Sequence, residues 1–225
     1  MNHATHRRIA AAYWSRQHHY WYARCKLATD PLYAAVGEAL RETTVPLLDL
    51  GCGIGLLAHT LRARGFIGSY AGIDNDVDKI AAARAAATRA DLGDVTFACV
   101  DLASEAFPAH RGSVALLDVL QYLSPQAASE LVERAAACIV PGARLVIRSG
   151  LDGADARTRF TRAMDVFSRR IGWMNTAPKR YPKRAELETL LARCGLRAHF
   201  APLSGRLPLN NWLIVGERFE QAPCT

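Results

Sequence analysis

The stretch Val45-Pro46-Leu47-Leu48-Asp49-Leu50-Gly51-Cys52-Gly53-Ile54-Gly55 decides the fold. Leu47 to Leu50 is apolar apart from Asp49, the pattern of a short strand buried on both faces. Three glycines then alternate with Cys52 and Ile54, and the apolar run Leu56 to Leu61 has the length and spacing of a helix start. The chain therefore turns sharply from strand to helix. Glycine at such a turn supplies unusual backbone angles and lets a ligand approach main-chain N–H groups without meeting a Cβ, so the stretch reads as a nucleotide-binding turn. Spacing narrows the nucleotide. A G-x-G-x-x-G dinucleotide fingerprint needs its third glycine where Leu56 stands, which disfavours NAD. A phosphate loop needs Lys and then Ser or Thr after the glycines, where this chain has Leu56-Leu57.

Downstream, strand and helix patterns alternate, as a doubly wound parallel sheet requires. Tyr70 to Asp74 reads as a second strand closing on a carboxylate about 20 residues beyond the turn, where a ribose diol is bound in such folds; the alternative for Asp74 is to cap the next helix, Val77 to Ala90. Asn75 and Asp76 can themselves serve as that cap. Val95 to Val100 is β-branched and aromatic and runs into Asp101-Leu102, with a helix cap again the alternative for Asp101. Val114 to Asp118 is a fourth strand whose terminal carboxylate is costly to bury unpaired and should face a ligand. Ser124-Pro125 caps a helix to about Ile139, and Pro141-Gly142 turns the chain into a fifth strand ending at Arg148. A helix from Ala185 to Cys194 and strands from Leu196 to Ala201 and Asn211 to Glu217 close the sheet, the last antiparallel.

The run D-x-G-x-G-x-G from Asp49 to Gly55, the carboxylates Asp74, Asp101 and Asp118, and the run L-L-D-V-L-Q-Y-L from Leu116 to Leu123 resemble motifs of the class I S-adenosylmethionine-dependent methyltransferases. The likeness covers Leu47 to about Gly150. It implies an α/β, Rossmann-like seven-stranded sheet, mostly parallel, with helices on both faces. The cofactor S-adenosylmethionine would then lie at the carboxyl ends of the first four strands. Asp49, Gly51, Cys52, Gly53 and Gly55 would form its cradle, Asp74 and Asn75 its ribose site, and Asp101 and Leu102 its adenine site. Asp118 and Tyr122 would border the sulfur and the substrate. In many small-molecule members a helical segment closes over the methionine end, which makes residues 1 to 42 a lid and Tyr22, Arg24 and Lys26 its candidate contacts. Residues 43 to 225 would be the catalytic domain, with an acceptor-pocket insertion at about 150 to 184 that includes Trp173. If the acceptor is a phenol, its pKa near 10 asks for a base, with His18, His19 and Tyr122 as candidates. A carboxylate acceptor needs only a cation, and Arg148 is placed either for that or for a surface salt bridge.

The aromatic segment Tyr13 to Tyr22 reads either as rings packing a helix onto the sheet edge or as part of the lid; with the following A-R-C-K-L-A-T-D-P-L-Y and the L-L-D-V-L-Q-Y-L run it also resembles methyltransferases of bacterial lipid and aryl-polyene pigment clusters. That implies an acyl-carrier-bound acceptor and an acidic carrier protein as partner. Among rivals, an RNA or protein methyltransferase is disfavoured because no P-P-Y or P-P-F follows Asp118. A non-catalytic module would be expected to have lost glycines or carboxylates that are all present.

The 225 residues suit one α/β domain with additions, and the net charge of +7 favours an acidic partner: nucleic acid, anionic lipid or an acidic protein. Nucleic acid is the weakest of these, since the arginines between Asp155 and Ile171 are spaced as a solvated helix face. The six cysteines lack a C-x-x-C pair and read as reduced thiols packed as small hydrophobes, which points to a cytoplasmic protein. No signal peptide, apolar span or third ligand for His3 and His6 or His18 and His19 is evident, so neither membrane insertion nor a metal is expected.

Overall fold

A computed structural model describes residues 1–102, 107–152, 181–205 and 210–218. Its strands are β1 (Leu47–Leu50), β2 (Tyr70–Asp74), β3 (Val95–Cys99), β4 (Ser113–Leu117), β5 (Arg144–Gly150), β6 (Leu196–Pro202) and β7 (Asn211–Arg218). Its helices are α1 (His3–Ala11), α2 (Gln17–Thr29), α3 (Leu32–Ala39), α4 (Leu56–Arg62), α5 (Val77–Arg89), α6 (Pro125–Ala137) and α7 (Arg184–Arg193). The strands form one sheet in the order β3-β2-β1-β4-β5-β7-β6. β1 to β5 pair in parallel, and β7 is antiparallel to both of its neighbours. The basic segment Asp155 to Ile171 and Trp173 lie outside the described residues.

Local chemistry sets these boundaries. The Ser124 hydroxyl accepts from Ala127 N with Pro125 at the first helical position, and the Asp76 carboxylate accepts from Asp78 N and Lys79 N. Gly65 and Gly142 take positive φ (87° and 77°) in the turns that end α4 and precede β5.

Alternation along the central strands divides the interior into two layers. Leu47, Ala115, Val146 and Leu213 pack with α1 to α5, whereas Leu48, Leu50, Val114, Leu116, Leu145, Ile147 and Ile214 pack with α6 and α7. β1 runs on to β2 and β3 in one direction, and β4 to β5 in the other. The strand order therefore reverses between β1 and β4, which opens a crevice at their carboxyl ends. The glycine turn and Asp118 lie there side by side.

The N-terminal helices cover this end of the sheet. The Tyr13 hydroxyl, buried, donates to the Ile54 carbonyl of the glycine turn at 2.9 Å, and Arg89 of α5 reaches the Ala12 carbonyl. The aromatic residues of this segment do not act together as packing. Tyr13 is 2 % exposed, but Trp14 and Trp21 are 70 % and 59 % exposed.

Candidate functional site

The glycine turn is left-handed at Gly51, Gly53 and Gly55, with φ of 79°, 57° and 74°. The three positions differ in what surrounds them. A Cβ at Gly51 would come within 2.6 Å of Val119, and one at buried Gly55 within 2.6 Å of the Phe97 ring, whereas a Cβ at Gly53 would meet nothing within 4 Å. Gly55 is therefore required by packing, and Gly53 is the residue that leaves an open shelf. The N–H groups of Gly51 and Cys52 both bond to the Ile73 carbonyl (2.8 and 2.9 Å), that of Gly53 to Asp74 Oδ2 (2.9 Å) and that of Gly55 to the Cys52 carbonyl (3.0 Å). The expectation of main-chain donors offered to a ligand is thus corrected at these four residues. A pyrophosphate would find none of the four available.

Asp74 is half-buried at the end of β2, and its second oxygen accepts from Asp76 N at 3.0 Å. Asp76 supplies the side-chain cap of α5, so Asp74 joins the turn to the helix entry and keeps a lone pair on each oxygen. Asp101 and Leu102 follow β3 beside it, joined to the β2 end through Val100 N and the Asp74 carbonyl at 3.0 Å. Asn75 is exposed, and its carbonyl receives the Cys99 thiol at 3.7 Å. Burial pushes the Cys52 thiol up, and Asp49 and Asp74 add to that, so it is no thiolate nucleophile.

Asp49 is 2 % exposed, on the face of β1 turned toward α1 to α5. The Tyr70 hydroxyl donates to its Oδ2 at 2.5 Å, and its Oδ1 is buried without a partner among the described residues. An orphaned carboxylate oxygen under the turn fits a ligand that donates, such as an ammonium group. Burial raises the Asp49 carboxyl to about 7, against the lowering effect of Tyr70 and with a further rise from Asp74. The unliganded protein thus holds a proton that the unfolded chain, with a carboxyl near 3.8, has released. This contribution to stability falls as pH rises from about 4 to about 7 and is level above, by on the order of 4 kcal/mol. We expect Asp49→Asn to lack that slope in urea unfolding across the same window. Parallel pH profiles for the two proteins would refute it.

At the end of β4 the chain turns through Asp118 in the left-handed region (φ 61°), tolerable for Asp at a cost of order 1 kcal/mol. Its carboxylate meets the Arg148 guanidinium, which also lies 3.3 Å from Asp30 Oδ2, while Lys26 Nζ donates to the same Asp30 oxygen at 2.6 Å. The side chains of Arg148 and Asp30 are only 6 % and 10 % exposed. Burial alone would raise the Asp30 carboxyl, but Arg148 and Lys26 hold it at about 2. Burial likewise works against the Arg148 charge, and Asp118 and Asp30 more than restore it. Two cations and two carboxylates neutralise one another. Arg148 is therefore neither a free anchor for an anionic acceptor nor a surface salt bridge, which corrects both readings of its place in the sequence.

The lid candidates part company on α2. Lys26 joins the ion cluster, and Tyr22, one turn earlier, lies close enough to affect Lys26, Tyr13 and Tyr33. Arg24 points to the other side and acts on His6 of α1. The His18 and His19 rings are tilted at 55° to each other with centroids 4.0 Å apart, and His19 lines a cleft with Arg16, Ala81, Ala82, Ala85 and Arg89, against α5. Burial, with His18 and Arg16, lowers His19 to about 4, which makes it a weak base. Tyr122 sits in a single 3-10 turn, Leu120–Tyr122, after Asp118. Trp173 lies outside the described residues. Cys25 and Cys99 are exposed rather than packed; all five described cysteines are reduced. Among the described residues no helix is long and apolar enough to cross a membrane, and no His, Cys, Asp and Glu group is placed to hold a metal.

Three participants went unread in the sequence: Asp30, Tyr13 and Tyr70. Asp30 had one signal, an Asp-Pro pair before a helix, and its Oδ1 does accept from Leu32 N at 3.0 Å. Nothing in the sequence marks its other oxygen for Arg148.

Residues 47–142 match the family model described as "Methyltransferase domain". No curated protein matches the sequence. Among solved structures, the chain is similar to magnesium protoporphyrin IX methyltransferase from Synechocystis PCC 6803 with bound SAH (20 % identity, 84 % of this chain and 82 % of that one, TM-score 0.64). It is similar to an O-methyltransferase family protein from Burkholderia thailandensis (20 %, 92 % and 62 %, TM-score 0.66). A third is an O-methyltransferase from neocarzinostatin biosynthesis in complex with S-adenosyl-L-homocysteine and 1,4-dihydroxy-2-naphthoic acid (19 %, 88 % and 55 %, TM-score 0.63). The chain thus spans little more than half the length of the last two.

Proposed function

We propose that this chain, a class I S-adenosylmethionine-dependent methyltransferase by its fold and by the match over residues 47–142, methylates an oxygen of an uncharged small-molecule acceptor. One observation carries the reading. The crevice between β1 and β4 has open space at Gly53, whose N–H is bonded to Asp74; Asp49 lies within β1, and Asp101 and Asp118 lie just beyond β3 and β4, while the N–H groups at Gly51, Cys52, Gly53 and Gly55 are already used. Such a site suits a cationic nucleoside and not a phosphate.

S-adenosylmethionine supplies a methyl group already activated on a sulfonium. The residues here bind and orient. Asp74 would take the ribose hydroxyls with the lone pairs left by Gly53 N and Asp76 N, and Asp49 Oδ1 would take the ammonium. Asp118, part exposed and fixed by Arg148, would accept the hydrogen bond of the acceptor hydroxyl and hold its oxygen in line with the methyl group; as the S–CH3 bond breaks and the O–CH3 bond forms, the hydroxyl proton would pass by way of this carboxylate to solvent. Holding two reactants in line supplies up to roughly 7 to 11 kcal/mol of the barrier. The neutralised Arg148 explains why the acceptor should be uncharged: a carboxylate would find no spare cation in this cluster.

Calorimetric titration with S-adenosylmethionine, S-adenosylhomocysteine and NADH tests the cofactor, and transfer of labelled methyl to neutral phenols and to carboxylic acids tests the acceptor. Binding of both sulfur compounds without NADH, and turnover of phenols over acids, is the expected result. NADH binding alone, or preference for acids, would overturn the corresponding half.

A further inference from the structure

The first 29 residues contain four arginines, one lysine and four histidines but no Asp or Glu; all 21 acidic residues lie from Asp30 onward. α1, α2 and the turn between them, built from this segment, turn Ile9, Ala10, Tyr13, Ala23 and Leu27 inward. They leave Trp14 and Trp21 in solvent, two of the five strongly exposed large hydrophobic residues among those described. The two indoles are not scattered. Tyr20 lies between them, edge-on to each, with ring centroids 5.5 Å from Trp14 and 5.1 Å from Trp21.

Met1 is exposed in the same segment. Exposed Val77 stands next to Asp78, which Arg16 reaches at 3.7 Å. Arg7, Arg8 and Arg16 are exposed, while Lys26 is turned inward to Asp30.

We propose that this face of α1 and α2 docks on an anionic phospholipid surface. Indole rings with an apolar body and one N–H donor lie stably at headgroup depth, and arginines beside them are drawn to anionic headgroups. Charge complementarity chooses an anionic partner. The exposed indole pair with its tyrosine chooses lipid over an acidic protein, because amphipathic rings settle at the headgroup level of a bilayer, where their apolar bodies are buried beside the anionic groups that attract the arginines. The inner side of the same segment carries Tyr13, in the turn between the helices, on the glycine turn and Lys26 of α2 in the ion cluster, so docking would set the crevice beside the bilayer. The proposal concerns where the protein sits and holds whatever the acceptor is.

The test is co-sedimentation with vesicles of phosphatidylcholine alone and of phosphatidylcholine with phosphatidylglycerol, read also by quenching of tryptophan emission by brominated acyl chains. Binding to the anionic vesicles only, with quenching, is expected. Trp14→Ala/Trp21→Ala should weaken it about tenfold or more, and Arg7→Gln and Arg8→Gln about fivefold each. Both indoles are largely exposed, so an unchanged thermal midpoint will show that the variants fold. Absence of binding to phosphatidylglycerol vesicles at low salt overturns the proposal, as does binding indifferent to the tryptophan pair. So does a tryptophan-dependent complex with an acidic acyl carrier protein in the absence of vesicle binding. Neither cofactor nor acceptor is needed, so this result is separate from the methyl-transfer reading.

Discussion

Asp74→Ala should lose at least about a hundredfold in affinity for S-adenosylhomocysteine while remaining folded. The Asp74 carboxylate does two things at once. It accepts from Gly53 N at 2.9 Å and from Asp76 N at 3.0 Å, fixing the open part of the turn against the start of α5. It also keeps a lone pair on each oxygen, to which the proposed ribose would donate. Hydrogen bonds to a charged group contribute about 1.5 to 3 kcal/mol each, so two of them amount to roughly two to four powers of ten in affinity. Asp74→Asn keeps one carbonyl oxygen but puts an NH2 donor in the other position, and an intermediate loss is expected. Asp76→Ala is the control: it removes the α5 cap, which costs about 1 kcal/mol of stability, and should leave affinity nearly unchanged. If Asp74→Ala binds within a fewfold of the wild type, Asp74 serves the turn alone and the ribose assignment fails.

Arg148→Met should cost about 3 to 5 kcal/mol of stability, seen as a lower urea midpoint with an unchanged slope. The guanidinium is buried between Asp30 and Asp118, and its removal leaves one carboxylate with Lys26 alone and the other facing the crevice unpaired. Asp30→Asn retains an oxygen for Leu32 N, so a double-mutant cycle between it and Arg148→Met isolates the pair, with an expected coupling of about 1 to 3 kcal/mol. Acid gives an independent reading. The Asp30 carboxyl is held at about 2 in the folded protein against 3.8 in its absence, so its contribution is present above about pH 4 and is lost as pH falls toward 2. Were Arg148 instead an acceptor anchor, Arg148→Met would unfold with the wild-type midpoint and show its defect as a raised KM for carboxylic acids.

The two effects separate neatly along the molecule. Asp74 acts at the β1 and β2 ends, on the side proposed for the cofactor, whereas Arg148 acts through β4, β5 and the start of α3, on the side proposed for the acceptor. No residue is shared between them, so the two sets of variants should be additive in stability.

What the sequence determined by itself was whatever near neighbours encode. Short apolar runs and β-branched or aromatic residues marked the strands, and serine or aspartate before a helical pattern marked the starts of α5 and α6. Glycines in D-x-G-x-G-x-G marked the turn, and a carboxylate at or just beyond each of the β2, β3 and β4 ends marked the ligand side. Tertiary structure alone decided which of these groups are free. The Asp30–Arg148 pair joins residues 118 apart and the Tyr70–Asp49 bond residues 21 apart. Neither meeting is set by local spacing, because each depends on which strands and helices become neighbours. The same holds for the glycines, alike in sequence, of which Phe97 and Val119 close two and leave Gly53 open. It holds for the aromatic segment as well. Tyr13 and Trp14 are adjacent in the chain, yet one is buried on the glycine turn and the other stands in solvent, because the side that the turn between α1 and α2 presents inward is fixed by what it packs against.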